Sequence, residues 1–104
     1  MYVIFFKFAA NRAQASQWMA EHGRWIQEGI DSGVFLMAGS LDNAQGGAIL
    51  AASVDRDSLM ARVQRDPFVA HGVVSAELHG IAPSRIAPGL EELLSRTPAS
   101  SAVT

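Results

Sequence analysis

The stretch Arg65-Asp66-Pro67-Phe68 ends one predicted helix and begins another. The residue before a proline is disfavoured in the α region, so the helix that leads into this stretch ends near Arg65. Pro67 suits the first position of a new helix, and Asp66 suits the N-cap before it. The simplest interpretation of Asp66 is therefore an N-cap, and a functional interpretation needs a second polar group to meet it.

Before and after this stretch, hydrophobic periodicity divides the chain into strands and helices. Strands are predicted at 2–8, 34–39, 48–54 and 73–81, and helices at 13–31 and 55–65, with one further helical turn at 67–70. Residues 40–47, which end in Gly46-Gly47, are interpreted as a hairpin loop rich in turn formers. The order βαββαβ predicts a ferredoxin-like α+β sandwich of one sheet and one helical layer.

The C-terminal segment differs in composition from this domain. Pro83, Pro88 and Pro98 are expected to break regular structure. Residues 90–94 predict one or two helical turns, and residues 99–104 a loose tail. We therefore assign the domain to residues 1–85 and the tail to residues 86–104.

Composition indicates a globular protein and excludes several functions. A length of 104 residues suits one domain, and 49% hydrophobic with 17% charged residues supports a core. A formal net charge of −2 argues against nucleic-acid binding, and no apolar run approaches the roughly 20 residues of a membrane span. Without cysteine, disulfides and thiolate metal sites are excluded. No signal peptide is evident, so we expect a cytoplasmic protein with no membrane partner.

The first predicted strand is apolar on both faces. One face carries Tyr2, Ile4, Phe6 and Phe8, and the other carries Val3, Phe5 and Lys7. Two helices cover only one face of a four-stranded sheet, and an uncovered apolar face of this size marks an interaction surface. Because self-association is usually symmetric, the pattern predicts a homodimer with the sheets face to face.

His22 lies in the middle of the apolar face of the first helix. The same face carries Ala15, Trp18, Met19, Trp25, Ile26, Gly29 and Ile30. A histidine in this position is either a hydrogen-bonded core residue or a general acid or base. A carboxylate beside an imidazole holds it in one tautomer and stabilises its charged form, so Asp66 is the natural partner of His22.

Three further residues are weaker candidates for contacting a substrate. Ser40 and Ser75 each offer a hydrogen bond, although a loop serine and a strand serine are the simpler interpretations. Arg65 offers a positive charge for an anionic or phenolate group, and a surface ion pair is the simpler interpretation.

The sequence predicts neither a metal site nor a nucleotide site. His22, His71 and His79 are far apart in the chain and lack the spacing of metal ligands. Gly46-Gly47 lies outside any phosphate-binding motif. No cofactor is expected.

Together these features resemble the YCII (YciI-like) family over roughly residues 1–85. The resemblance is carried by the opening strand, the helix with its lone His22, the hairpin from Met37-Ala38-Gly39 to Gly46-Gly47, and Arg65-Asp66-Pro67-Phe68 followed by Gly72-Val73. It implies a dimeric α+β barrel and a His–Asp dyad, which here would be His22 and Asp66. One enzymatic type in that family removes hydrogen chloride from a chloro-hydroxyhydroquinone, so the resemblance also implies this reaction as a candidate activity.

Two functions from different classes follow. The first is a cofactor-independent lyase for a small aromatic such as 5-chloro-2-hydroxyhydroquinone. In that reaction His22 takes a hydroxyl proton and Asp66 orients the imidazole, while Trp18, Trp25 and Phe68 pack the ring. The second is a non-catalytic small-molecule-binding or regulatory module, which needs the pocket and no titrating dyad.

Overall fold

The computed structural model describes residues 1–52 and 54–95, in the predicted βαββαβ order. The strands are β1 (Tyr2–Phe8), β2 (Phe35–Ser40), β3 (Gly46–Ala51) and β4 (Val74–Gly80). The helices are α1 (Ala15–Asp31), α2 (Arg56–Gln64), α3 (Pro67–Ala70) and α4 (Pro88–Ser95), and 3-10 turns lie at Arg12–Gln14 and Asp42–Ala44. The antiparallel sheet has the order β2-β3-β1-β4, which confirms the predicted ferredoxin-like α+β fold.

The hydrophobic core lies on one face of the sheet, against the helices. Ile4 and Phe6 of β1 are buried there, as the alternation of the strand predicts. The ring of Phe35 on β2 packs against the backbone of α1 at Gly29, where any side chain would overlap that ring. Trp25 of α1 meets the Phe35 ring edge-on at 5.0 Å. This packing fixes α1 across the sheet.

The other face of the sheet, here called the open face, is less well covered. Val3 and Phe5 of β1 are only partly buried, and Met37 of β2 is 56% exposed. The same face carries Lys7, whose ammonium lies 3.7 Å from the carboxylate of Glu77 on β4. The open face therefore combines apolar side chains with exposed charged ones, among them the Lys7–Glu77 ion pair.

Gly46 and Gly47 belong to β3, so the predicted loop over residues 40–47 was wrong at its end. The two glycines lie opposite Lys7 and Phe6 of β1. Gly46 has a φ of +134°, and a Cβ there would overlap the carbonyl oxygen of Phe6. A glycine pair therefore allows the two strands to approach closely, where the sequence suggested a turn. At its C-terminal end β3 stops at Ala51, whereas the sequence predicted that the strand continues to residue 54.

The first helix also begins later than predicted. Its α-helical part begins at Ala15 rather than at residue 13, after the short 3-10 turn. The side chain of Asn11 does not cap that turn; it donates a hydrogen bond to the carbonyl oxygen of His71 at 2.9 Å. A contact distant in sequence thus replaces the local cap. For β2, β4 and α2 the observed ends lie within one residue of the predicted ends.

Pro88 begins α4, and the prediction that it breaks regular structure was wrong. A proline is tolerated at the first helical position because its missing N–H has no partner there in any helix. The eight-residue helix is longer than the turns predicted at 90–94. Pro98 and residues 99–104 lie outside the described residues, and the domain boundary at residue 85 stays a prediction.

Over the described residues, no helix combines the length and the apolar character that crossing a membrane requires.

Candidate active site

His22 of α1 and Asp66 at the start of α3 are in direct contact. The Nδ1 atom of His22 lies 2.7 Å from Oδ1 of Asp66. The side chain of Asp66 is fully buried, and that of His22 is 17% exposed. The same Oδ1 accepts a hydrogen bond from the backbone N–H of Phe68 at 3.1 Å, so Asp66 is the N-cap of α3 as well as the neighbour of His22. One carboxylate thus makes both contacts.

The contact with Asp66 sets the tautomer of a neutral His22. An ionised carboxylate only accepts hydrogen bonds, so Nδ1 carries the hydrogen and Nε2 keeps a lone pair. The second oxygen of Asp66, Oδ2, is buried and has no hydrogen-bond partner within the described part of the chain. A protonated His22 would give this buried carboxylate a full counter-charge. The geometry therefore suits an imidazole that gains and loses a proton at Nε2.

An aromatic stack holds the plane of the His22 ring. The imidazole lies parallel to the ring of Phe68, with centroids 3.9 Å apart and an angle of 3° between the planes. The indole of Trp25 lies further away, at 6.1 Å. Stacking on one side and the Asp66 contact at Nδ1 leave the imidazole little freedom to rotate, which is what a positioned acid or base requires.

His22 lies on the wall of a cavity of about 490 Å³ between α1 and the sheet. This volume falls in the range of small-molecule sites. The lining residues come from α1, from α3 and from all four strands. They are Phe6, Phe8, Ala15, Met19, His22, Gly23, Ile26, Ala38, Gly39, Ser40, Gly46, Gly47, Ala48, Ile49, Phe68 and Val74. The wall is therefore mostly apolar, with the His22 imidazole and the Ser40 hydroxyl as polar side chains.

Of the predicted site residues other than Asp66, three line this cavity. They are His22, Phe68 and Ser40. Ser40 is the last residue of β2, at the edge of the cavity, and is exposed. Their roles toward a substrate stay predictions.

The other four predicted residues lie elsewhere. Trp25 is a core residue that donates a hydrogen bond to the carbonyl oxygen of Arg62 at 3.0 Å. Trp18 stacks on His71 at 3.6 Å, beside the cavity wall and not in it. Ser75 faces away from the helices, opposite Lys7 on the open face, and is exposed. The predicted packing of a substrate ring by Trp18 and Trp25 gains no support from these positions.

Arg65 caps the C-terminus of α2 and lies outside the cavity lining. Its neighbour Arg62 has its guanidinium carbon 6.0 Å from the centroid of the Phe35 ring. Burial lowers the pKa of Arg62, the positive charge of Arg65 lowers it further, and Glu28 opposes the change. Arg62 is thus partly buried against Phe35, whereas Arg65 is exposed at the end of α2. The substrate contact predicted for Arg65 gains no support from its position.

Several cavity residues were absent from the predicted site. Met19 and Ile26 share the apolar face of α1 with His22, and Phe6 and Phe8 share a face of β1. Their periodicity signalled burial but could not distinguish a cavity wall from a packed core. Gly46 and Gly47 were assigned to a loop, so their place in the cavity wall carried no such signal.

In the ranges 1–52 and 54–95, no group of three or more histidine, cysteine, aspartate or glutamate side chains is placed to hold a metal ion. A reaction without a metal stays a prediction.

Residues 1–78 match the sequence profile of the YCII-related domain. Among solved structures, the fold is similar to that of 5-chloro-2-hydroxyhydroquinone dehydrochlorinase (TftG) from Burkholderia phenoliruptrix AC1100, in complex with 2,5-dihydroxybenzoquinone. The TM-score is 0.63 at 12% sequence identity, and the match covers 79% of this chain and 94% of that chain. None of the curated proteins compared with the chain matched it. At this identity the structural likeness supports the fold alone.

Proposed function

The chain belongs to the YCII family, and on that premise we propose that it is a cofactor-independent lyase for a small aromatic substrate. The observation that carries the proposal is the 2.7 Å contact between His22 and Asp66 at the wall of an apolar cavity. His22 acts as the general base through Nε2, and Asp66 holds the imidazole in position. Phe68 and the apolar wall pack the substrate ring, and Ser40 offers a hydrogen bond.

The reaction that we propose is loss of hydrogen chloride from a chloro-hydroxyhydroquinone. The dehydrochlorinase of similar fold is named for 5-chloro-2-hydroxyhydroquinone, so this compound is the substrate of first choice. Two hydroxyl hydrogens leave their oxygens: one ends on the ring carbon that bore chlorine, and His22 takes the other. Chlorine leaves as chloride with the electron pair of the C–Cl bond, and the ring becomes a hydroxyquinone. The ring supplies both electrons, so the step needs no external oxidant or reductant.

The test of the proposal is chloride release by the purified protein. 5-Chloro-2-hydroxyhydroquinone would be supplied to protein before and after exhaustive chelation and dialysis, with buffer alone as the blank. We expect the same rate of chloride release from both samples, and one hydroxyquinone per chloride. A rate that disappears on chelation and returns only with a metal would contradict the cofactor-free mechanism.

The alternative is a non-catalytic binding or regulatory module, which the largely apolar wall of the cavity also suits. The two functions differ in turnover. A lyase that uses His22 as base releases chloride from the ring, whereas a binding module holds the ring without breaking its C–Cl bond. Binding of 5-chloro-2-hydroxyhydroquinone with no chloride release would favour the module.

We further propose that the protein is a homodimer joined through the open face. Val3, Phe5 and Met37 supply exposed or partly exposed apolar surface there, and such a surface commonly marks an interface. Light scattering at micromolar concentration should give about twice the monomer mass of 11.1 kDa. Met37→Lys, on the open face, should weaken the dimer. Met19→Lys, at a similar exposure on the helical side (54% against 56%), should not. A wild-type monomer would contradict this proposal.

A further inference from the structure

The His22–Asp66 pair carries no net positive charge in either protonation state. With a neutral imidazole the pair has one negative charge, and with an imidazolium it is neutral. Asp66 is fully buried, so water screens its charge little. A ligand that reaches Nε2 of His22 therefore meets a pair whose charges are at best balanced.

The walls of the cavity add no compensating cation within the described residues. Apart from His22, the lining consists of apolar side chains, glycine backbone and the hydroxyl of Ser40. Arg12 touches one lining residue, with its guanidinium carbon 4.0 Å from the centroid of the Phe8 ring. Arg12 is exposed to solvent and lies outside the lining, so its charge is largely screened.

We propose that this cavity selects electrically neutral hydroxy-aromatic rings and rejects rings that carry a fixed anion such as a carboxylate. Moving an unpaired ion from water into an apolar site costs far more than moving a hydroxyl or an amide. Here the ion would also lie near the buried carboxylate of Asp66. The inference rests on the proposed function, because it takes this cavity as the substrate site, and it narrows the substrate class from small aromatics to uncharged ones.

Proton transfer from a neutral hydroxyl leaves the total charge in the cavity unchanged. The transfer creates an anionic oxygen on the ring and an imidazolium at His22 together, so the new anion has a counter-ion from the start. A fixed carboxylate could gain the same counter-ion only from an already protonated His22. That protonation would remove the lone pair of Nε2, and with it the base. A fixed anion is thus disfavoured in both binding and reaction.

The test is a comparison of 2,5-dihydroxybenzamide with 2,5-dihydroxybenzoate, and hydroquinone is the unsubstituted reference. The amide and the carboxylate have nearly the same size and shape and differ in charge. Titration calorimetry with the wild-type protein near neutral pH should show the benzamide binding at least about tenfold more tightly than the benzoate. Equal affinity for the two rings would overturn the inference.

A single added cation should change this selectivity. Met19 lines the cavity and is 54% exposed, so a lysine there can reach both solvent and ligand. Met19→Lys should raise the affinity for the benzoate about tenfold and leave that for the benzamide within about threefold. Gln17→Lys is the matched control, because Gln17 is exposed on α1 outside the lining. An equal gain in both variants would contradict a charge effect inside the cavity.

Chloride release measured on the same protein separates the two proposals. Selective binding of the benzamide without chloride release would overturn the lyase and support the charge selection. Chloride release together with equal binding of benzamide and benzoate would overturn only the charge selection. Binding of none of the three rings would overturn both.

Discussion

Two parallel histidine–aromatic stacks join α1 to the region of α3, and they have nearly the same geometry. In one, His22 of α1 lies on Phe68 with centroids 3.9 Å apart and 3° between the planes. In the other, Trp18 of α1 lies on His71, the C-cap of α3, at 3.6 Å and 4°. In the first stack α1 supplies the histidine, whereas in the second stack α1 supplies the aromatic ring. Stacking alone therefore does not distinguish the two histidines.

The surroundings of the two imidazoles are different. His22 contacts the fully buried Asp66 and lines the cavity. His71 is exposed and lies outside the cavity lining, and its backbone carbonyl accepts the hydrogen bond from Asn11. A carboxylate neighbour and access to a cavity, rather than the ring stack, therefore make His22 the candidate base.

The largest expected effect is the loss of chloride release when the His22 side chain is removed. His22→Ala should reduce the rate by about 10²–10⁴-fold, which is the usual contribution of a positioned base. His71→Ala removes the other imidazole and should change the rate by less than about twofold, since His71 does not touch the cavity. Chloride release would be measured on both variants, with circular dichroism to confirm folding. Equal losses in the two variants would show that the stacks serve only packing.

A second prediction separates the two contacts that Asp66 makes. Asp66→Asn keeps an oxygen that can accept the Phe68 N–H, so the free energy of unfolding should fall by no more than about 1–2 kcal/mol. The amide carries no negative charge to hold the His22 tautomer and stabilise the imidazolium, so chloride release should fall about 10²-fold. Rates and urea unfolding curves on the same preparation would check this. A rate loss no larger than the stability loss would leave Asp66 with a capping role alone.

The smallest expected effect is a difference in stability between two N-caps. Asp55 caps α2 by accepting the N–H of Ser58 at 2.9 Å on the surface, and Asp55→Ala should cost about 1 kcal/mol. Asp66→Ala should lower the free energy of unfolding by more, about 2–3 kcal/mol. It also leaves an empty space in the interior where the carboxylate lay and an unpaired nitrogen on His22. Urea unfolding of both variants would measure the difference. Equal costs would mean that the His22 contact contributes nothing to stability.

Much of the fold was predictable because the relevant signals are local. The alternation in β1 correctly placed Ile4 and Phe6 on one face of the strand, and the order of strands and helices identified the ferredoxin-like topology. Asp66 before Pro67 correctly predicted the N-cap of α3. Each of these rests on a few neighbouring residues and on backbone preferences that the rest of the chain does not override.

The errors came from features that depend on distant parts of the chain. Gly46 and Gly47 look like turn residues, yet they pair with β1, because a glycine there avoids a clash with the carbonyl of Phe6. The side chain of Asn11 donates a hydrogen bond to the carbonyl oxygen of His71, which lies far along the chain, and no local pattern predicted this contact. Composition and periodicity report on neither kind of contact.

The spacing of apolar residues along the chain showed which side chains share a face, and so placed His22 among the apolar residues of α1. Which of those residues border open space depends on how the helices pack on the sheet. Met19 and Ile26 line the cavity, whereas Trp25 is packed into the core. The tertiary structure also places Oδ1 of Asp66 2.7 Å from Nδ1 of His22, although the two residues are 44 positions apart in the chain. The physical reason is that helix and strand periodicity are set by local backbone geometry, whereas a cavity and a contact between distant residues depend on how complete elements pack together.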